Sequence, residues 1–335
     1  MSRDRGPRRL RRLDRSVLMA ASVTALSLTA SGCVVVHGER EVLPGATQDE
    51  AVKALQDFTS AYNKADKSYD SSLDADHVTG PLAAIDEARL KAGHVINPGG
   101  NPNHSPLEFS DVAYTIPKKA GWPRWFLADA RANRGGDARW LMVFTRDGLD
   151  DEWEVSYLTL VAPGKVPEFR KDKDGWAEAL PVGSAEFAVP PAELSEKYVT
   201  YLQDGGDGFA SGSHTSGWRQ EREKNGERPG LVTQYLDAPL TEGDYAPVAL
   251  RTADGGALVF FTTHHYEKQT AAAGTSVPSP GEDVEALTTG EVKQSLTMEF
   301  VSNQVALDPR KGSGTTKDEV TVLGRIQGLT SAKGE

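Results

Sequence analysis

Cysteine is nearly absent: Cys33 is the only one in 335 residues. A single thiol cannot form a disulfide within its own chain, so the fold must rest on packing and hydrogen bonding. Zinc sites built from several cysteines are excluded for the same reason. Aromatic residues make up 7% and hydrophobic residues 38% of the chain; that is lean, yet enough for a folded protein. Familiar catalytic signatures are also missing. There is no Gly-x-Ser-x-Gly elbow, no phosphate-cradling Gly-x-x-x-x-Gly-Lys-Ser/Thr, no dinucleotide Gly-x-Gly-x-x-Gly and no His-Glu-x-x-His. Excess positive charge is lacking too. The formal net charge is −11, and residues 1–32 hold seven arginines against two acids. Without them, thirty basic residues face forty-six acidic ones, a net of −16. Such a body repels phosphate backbones, which disfavours nucleic acid, and none is expected as a partner.

What is present begins with a leader. Residues 1–15 are cationic, and residues 16–30, "SVLMAASVTALSLTA", carry no charge. Fifteen residues fall short of the ~20 needed to cross a bilayer but fit the apolar region of a secretory signal. "ASGC" follows, ending at Gly32 and Cys33. Small residues before a cysteine allow entry to a peptidase cleft, and the thiol can then be alkylated. This resembles the lipobox of bacterial lipoproteins, except that Ala30 stands where that motif usually has Leu, with Leu28 two residues further back. The resemblance implies cleavage between Gly32 and Cys33, lipid on Cys33, and anchoring to the extracytoplasmic face of the cell membrane. Membrane lipid is thereby one expected partner. The pairs Arg8–Arg9 and Arg11–Arg12 leave twin-arginine export and general secretion both open. Residues 33–46 read as a lipidated tether.

The body reads as α+β. Thr47 and Glu50 have capping-box spacing, and Val52, Leu55, Phe58, Tyr62 and Ala65 recur at helical intervals. A second helix is expected from Pro81 to Gly93, then strands over 107–116, 125–132, 139–145 and 152–161. In the last strand, Trp153, Val155, Tyr157 and Val161 are expected on one face. Residues 166–190 read as a linker, and a further helix should run from Pro191 to Gly205. Strands return over 247–251, 257–263, 295–301 and 320–326, with a low-complexity mobile loop over 268–292. The expected organisation is therefore two domains, 47–165 and 191–331. Each would combine a helix with a curved antiparallel sheet.

A weak repeat links the halves: "DARANRGGDARWLMVFT" (129–145) and "ALRTADGGALVFFT" (249–262). Arg131 with Gly135–Gly136 parallels Arg251 with Gly255–Gly256, each read as a hairpin with a glycine turn. The order of helix and then curved strands resembles tandem cone-shaped domains of the nuclear-transport-factor-2-like type. It is also similar to domains of unknown function in actinobacterial lipoproteins. Enzymes on cone-shaped folds imply an interior acid or base, a place that Asp129 or His264 could fill.

Other candidates carry less. His264 and His265 are adjacent, so on one strand they point to opposite faces and cannot share a metal. Asp172 and Asp174 precede Gly175, but the positions that an EF-hand reserves for Gly and Glu hold Ala177 and Gly183. Ser211, Ser213 and His214 lie in a Gly/Ser-rich stretch that offers no rigid scaffold. In "GWPRWF", Trp122, Trp125 and Phe126 cannot all face one core, which makes Trp122 and Trp125 candidate ligand contacts. The leading expectation is a lipid-anchored, non-catalytic binding or scaffolding module of the envelope, with no cofactor or metal. Its partner would be an envelope protein or small ligand. The alternatives are a hydrolase or isomerase with an acid or base in a cone-shaped cavity, and a solute-binding lipoprotein.

Overall fold

Thr47 opens the first helix by a reciprocal cap: its hydroxyl accepts from Glu50 N at 3.2 Å, and the Glu50 carboxylate accepts from Thr47 N at 2.7 Å. Helix α1 (Gln48–Ser68) follows and buries Ala51, Ala54, Leu55, Phe58, Ala61 and Ala65. Val52, expected in that stripe, is instead 37% exposed. The computed structural model describes residues 41–313 and 318–335, so Gly32 and Cys33 lie outside the described residues. Helix α2 (Gly80–Ile96) is longer than the expected 81–93 span. Gly80, at φ +52°, is required at its start, because a Cβ there would lie 2.3 Å from the Asp244 carbonyl oxygen.

Strands β2 (Phe109–Thr115), β4 (Arg124–Ala132), β5 (Arg139–Arg146) and β6 (Glu154–Val161) form an antiparallel meander in that order. Two short strands belong elsewhere. Strand β3 (Pro117–Lys119) pairs with β1 (Leu43–Pro44) and with β7 (Ala177–Glu178), making a separate small sheet. In the meander, Phe126, Ala128, Trp140, Met142 and Phe144 pack with the α1 residues Leu55 and Phe58. Their strand neighbours Trp125, Leu127, Leu141 and Val143 pack into a different layer.

That second layer is shared with a larger sheet. It contains β8 (Glu227–Arg228), β9 (Leu231–Leu240), β11 (Ala257–Ala271), β13 (Ser295–Asp308), β14 (Thr321–Gly334) and β12 (Thr288–Thr289), with β10 (Val248–Arg251) also paired to β11. Leu250, Leu258, Phe260 and Val305 meet the first sheet. Ala249, Val259, Phe261 and Ala306 pack on α3 (Leu194–Asp204) through Leu194, Tyr198, Tyr201 and Leu202. The architecture is therefore α+β in four layers, helix–sheet–sheet–helix. The two sheets come so close at Gly324 that a Cβ would stand 2.4 Å from the Leu160 carbonyl oxygen. The repeat follows these layers. Leu141 and Val143 share the inter-sheet layer with Leu258 and Phe260, while Met142 and Phe144 lie under α1 and Val259 and Phe261 under α3.

Several expectations need correction. Trp153 and Val155 do not share a face with Tyr157 and Val161. A bulge pairs Val143 with Tyr157 but Phe144 with Val155, leaving Ser156 as the extra residue. One inserted residue reverses the alternation, so the first two side chains join the α1 layer and the last two the inter-sheet layer. Residues 166–190 do not run free. Arg170 N donates to Arg251 O, Ala177 N to Ile116 O, Leu180 N to Ala249 O and Ala188 N to Pro309 O, all within 3.0 Å. This segment is bonded to strands of both halves, and residues 42–335 form one compact unit.

The 268–292 stretch is not a loop throughout, since it holds the end of β11, helix α5 (Glu282–Leu287) and β12. Helix α4 (Ser216–Gly226) and strand β9 were not expected at all. Their inward positions are polar: Arg222, Thr233 and Asp237 are buried, while Val232 and Leu236 are exposed. An apolar periodicity therefore never forms.

Candidate functional site

The small sheet closes one end of the inter-sheet layer. Gly45 N donates to Pro117 O at 2.8 Å, and Ala177 N reaches Ile116 O at 3.0 Å, which holds β1, β3 and β7 beside the starts of β4 and β6. A cavity of about 700 Å³ lies here. Its walls include the apolar residues Val42, Trp125, Leu180, Val182 and Val248. A volume of that size suits a small ligand.

Its polar groups are unequal in their freedom. The Tyr157 hydroxyl lies 3.0 Å from Ala246 O and 3.1 Å from Tyr245 O, and it accepts from Thr262 Oγ1 at 3.3 Å. Burial pushes its phenol pKa well up, which keeps it neutral. Ser156 Oγ donates to Val143 O at 3.3 Å and is thereby held as part of the bulge. Lys118 is paired with Asp172 at 2.7 Å and Asp174 at 3.4 Å. Lys119 Nζ donates to Pro123 O at 2.6 Å, and burial lowers its pKa.

Glu154 differs from these groups. It lines the cavity with Asp147 and Asp244, and burial, followed by the negative charge of Asp147, Asp244, Asp151 and Asp76, raises its pKa to about 7. Near neutral pH it can exchange a proton or receive a cation. Sequence reasoning missed this residue. Its only signal was its place near the start of the expected 152–161 strand, beside the acidic run Asp150, Asp151 and Glu152.

Of the two tryptophans, Trp125 is buried on the cavity wall. Trp122 is half-buried, with its ring stacked by the guanidinium groups of Arg124 at 4.7 Å and Arg146 at 5.6 Å, and it does not line the cavity. Neither Asp129 nor His264 reaches this place. Asp129 accepts from Arg139 Nε at 2.6 Å, while His264 packs against the Tyr266 ring at 4.5 Å. The adjacent His265 faces the other way, stacks on Phe300 at 4.7 Å, and is lowered to about 3 by burial and then by Arg222.

Asp172 closes a turn by accepting from Asp174 N and Trp176 N at 2.9 and 3.0 Å. His214 is half-buried with Ser211 and Ser213 exposed beside it, and its carbonyl accepts from Tyr198 OH. Among the described residues, no cluster of three or more His, Cys, Asp or Glu could hold a metal. No described helix is long and apolar enough to cross a membrane.

The fold and site thus define an α+β protein with a ligand-sized, acid-edged cavity between its sheets. Residues 42–334 match the family described as Domain of unknown function (DUF8094), and the chain belongs to that family. It is similar to an "Uncharacterized lipoprotein" of Streptomyces coelicolor, 71% identical over 335 residues and covering both chains in full. One from Streptomyces avermitilis is 58% identical, again over all of both chains. A second S. coelicolor protein so named is 24% identical over 329 residues, spanning 90% of this chain and 91% of its own. No solved structure matches. These full-length relatives fit the chain as an actinobacterial lipoprotein.

Proposed function

We propose that the protein is a binding lipoprotein of the cell envelope: cleaved before Cys33, lipidated there, held at the extracytoplasmic face, and carrying a small ligand with an apolar body in the inter-sheet cavity. One observation carries this reading, the cavity of about 700 Å³ with Trp125, Leu180 and Val248 on its walls. Chain length adds to it. Val42 lines the cavity, nine residues beyond Cys33, and nine extended residues span about 30 Å at most. A lipid on Cys33 would therefore keep the cavity within about one bilayer thickness of its anchor.

A catalytic alternative would rest on Glu154, raised to about 7, and not on Asp129 or His264, which do not line the cavity. Ser156 is committed to the backbone and, among the described residues, no histidine lines the cavity, so binding is the better-supported activity. Titration calorimetry with phenylbutanol, a neutral probe of suitable size, tests it. Saturable one-to-one binding is expected in the wild type. Val182→Trp, at a wall position 37% exposed in the fold, should weaken it at least about tenfold by filling the space. Absence of binding to the wild type, or unchanged binding to the variant, would overturn the reading.

A further inference from the structure

The charges around the cavity are one-sided. Asp147, Glu154 and Asp244 all line it, contributed by the β5–β6 loop, the first residue of β6 and the short helical turn Gly243–Tyr245. Asp151 and Asp76 add to the same negative field. On the basic side, Lys118 is already neutralised by Asp172 and Asp174, and Lys119 is turned to the Pro123 carbonyl with Asp147 as its charged neighbour. Three wall carboxyls are thus opposed by a single lysine not engaged with a carboxylate outside the cavity. Like charges held together at a partly desolvated surface repel, and a ligand cation placed among them relieves that repulsion. An anion there would meet the same field with the opposite sign.

The geometry points to an amphiphile with a protonated amine as the ligand, its ammonium among Glu154, Asp147 and Asp244 and its apolar body against Trp125, Leu180 and Val248. This rests on the binding reading above and adds the chemical class of the ligand. Binding and protonation must then be linked. A primary amine remains charged across pH 6 to 8, whereas Glu154, raised to about 7, loses its proton within that range. The ammonium is held better once that carboxyl is ionised.

The test compares phenylbutylamine, phenylbutanol and phenylbutanoate, which differ only in the head group, by calorimetry on the full chain. The amine is expected to bind about tenfold or more tightly than the alcohol, a gap of about 1.4 kcal/mol, and the carboxylate more weakly than either. Glu154→Gln should close most of the gap between amine and alcohol. In the wild type alone, the amine's advantage should widen from pH 6 to pH 8, a readout that needs no variant to fold. An amine no better than the alcohol, a preference that survives Glu154→Gln, or one that is flat with pH overturns the assignment. Failure of the alcohol itself to bind would remove the cavity reading instead, so the two failures are distinct.

Discussion

Ser156 redirects a whole strand. By adding one residue against Val143 and Phe144, it sends Val155 towards α1 and Tyr157 into the inter-sheet layer, where the Tyr157 hydroxyl lies beside the carbonyls of residues 245 and 246. Such a bulge leaves no mark in the hydrophobic pattern, so the alternation through Trp153, Val155 and Tyr157 pointed to a single face. The adjacent histidines were readable, because an uninterrupted strand fixes opposite faces, and His264 and His265 do meet different neighbours. At this scale Cys33 carries its own prediction. Cells fed labelled palmitate should incorporate label into the wild type and not into Cys33→Ala, and the variant should not mature before residue 33. Label in the variant, or none in the wild type, would remove the proposed anchor.

Elements with apolar stripes were readable and those held by polar groups were not. Helix α1 announces itself by its capping box and its apolar spacing, and the hairpins β4–β5 and β10–β11 by glycine turns between alternating runs. Helix α4 and strand β9 are joined instead by a buried ion pair: Arg222 donates to both carboxylate oxygens of Asp237 at 2.6 and 2.9 Å. The guanidinium also lies 5.0 Å from the Trp218 ring and 5.1 Å from that of Tyr235. Removing one partner of a buried pair strands the other charge, at a cost of about 3–5 kcal/mol. Asp237→Ala should therefore lower the free energy of unfolding by that order in urea denaturation. The double variant Arg222→Met/Asp237→Leu should recover much of the loss. A double variant as unstable as the single one would show that the pair does not act as a unit.

For the molecule as a whole, buried acids set the response to pH. Asp74 is raised to about 8 by burial and by Asp86 beside it, and Glu154 and Asp308 are each raised to about 7, with burial the largest cause. Asp86 in turn is held by Arg89 at 2.8 Å, and Arg89 pairs with Asp66 at 2.7 Å. A carboxyl whose folded pKa lies above its unfolded value retains a proton that the unfolded chain has lost, so its contribution declines as pH rises towards the folded pKa. His265, His264 and His214 are lowered, and their opposition to this trend fades as pH rises through about 6.5, where the unfolded chain releases its histidine protons. Well above that value the carboxyls outweigh them. Thermal unfolding should therefore show a Tm lower at pH 8.5 than at pH 6.5, by roughly 4 °C. The difference should shrink in Asp74→Asn. A Tm that rises over this interval would contradict the buried acids.

The sequence by itself determined what depends on neighbours along the chain. The charge-free segment before Cys33, the capped helix, the hairpin turns and the apolar strands all follow from local spacing and backbone preference. The tertiary structure decided what depends on residues distant in sequence. Pairing the two sheets face to face put Leu141 in one core layer with its repeat counterpart Leu258, and it tied residues 166–190 to both halves. It also brought Asp147, Glu154 and Asp244 to one cavity with Trp125. Those carboxyls are ordinary surface acids when read along the chain, and their shared field exists only because the β5–β6 loop, β6 and the turn before β10 fold to the same place.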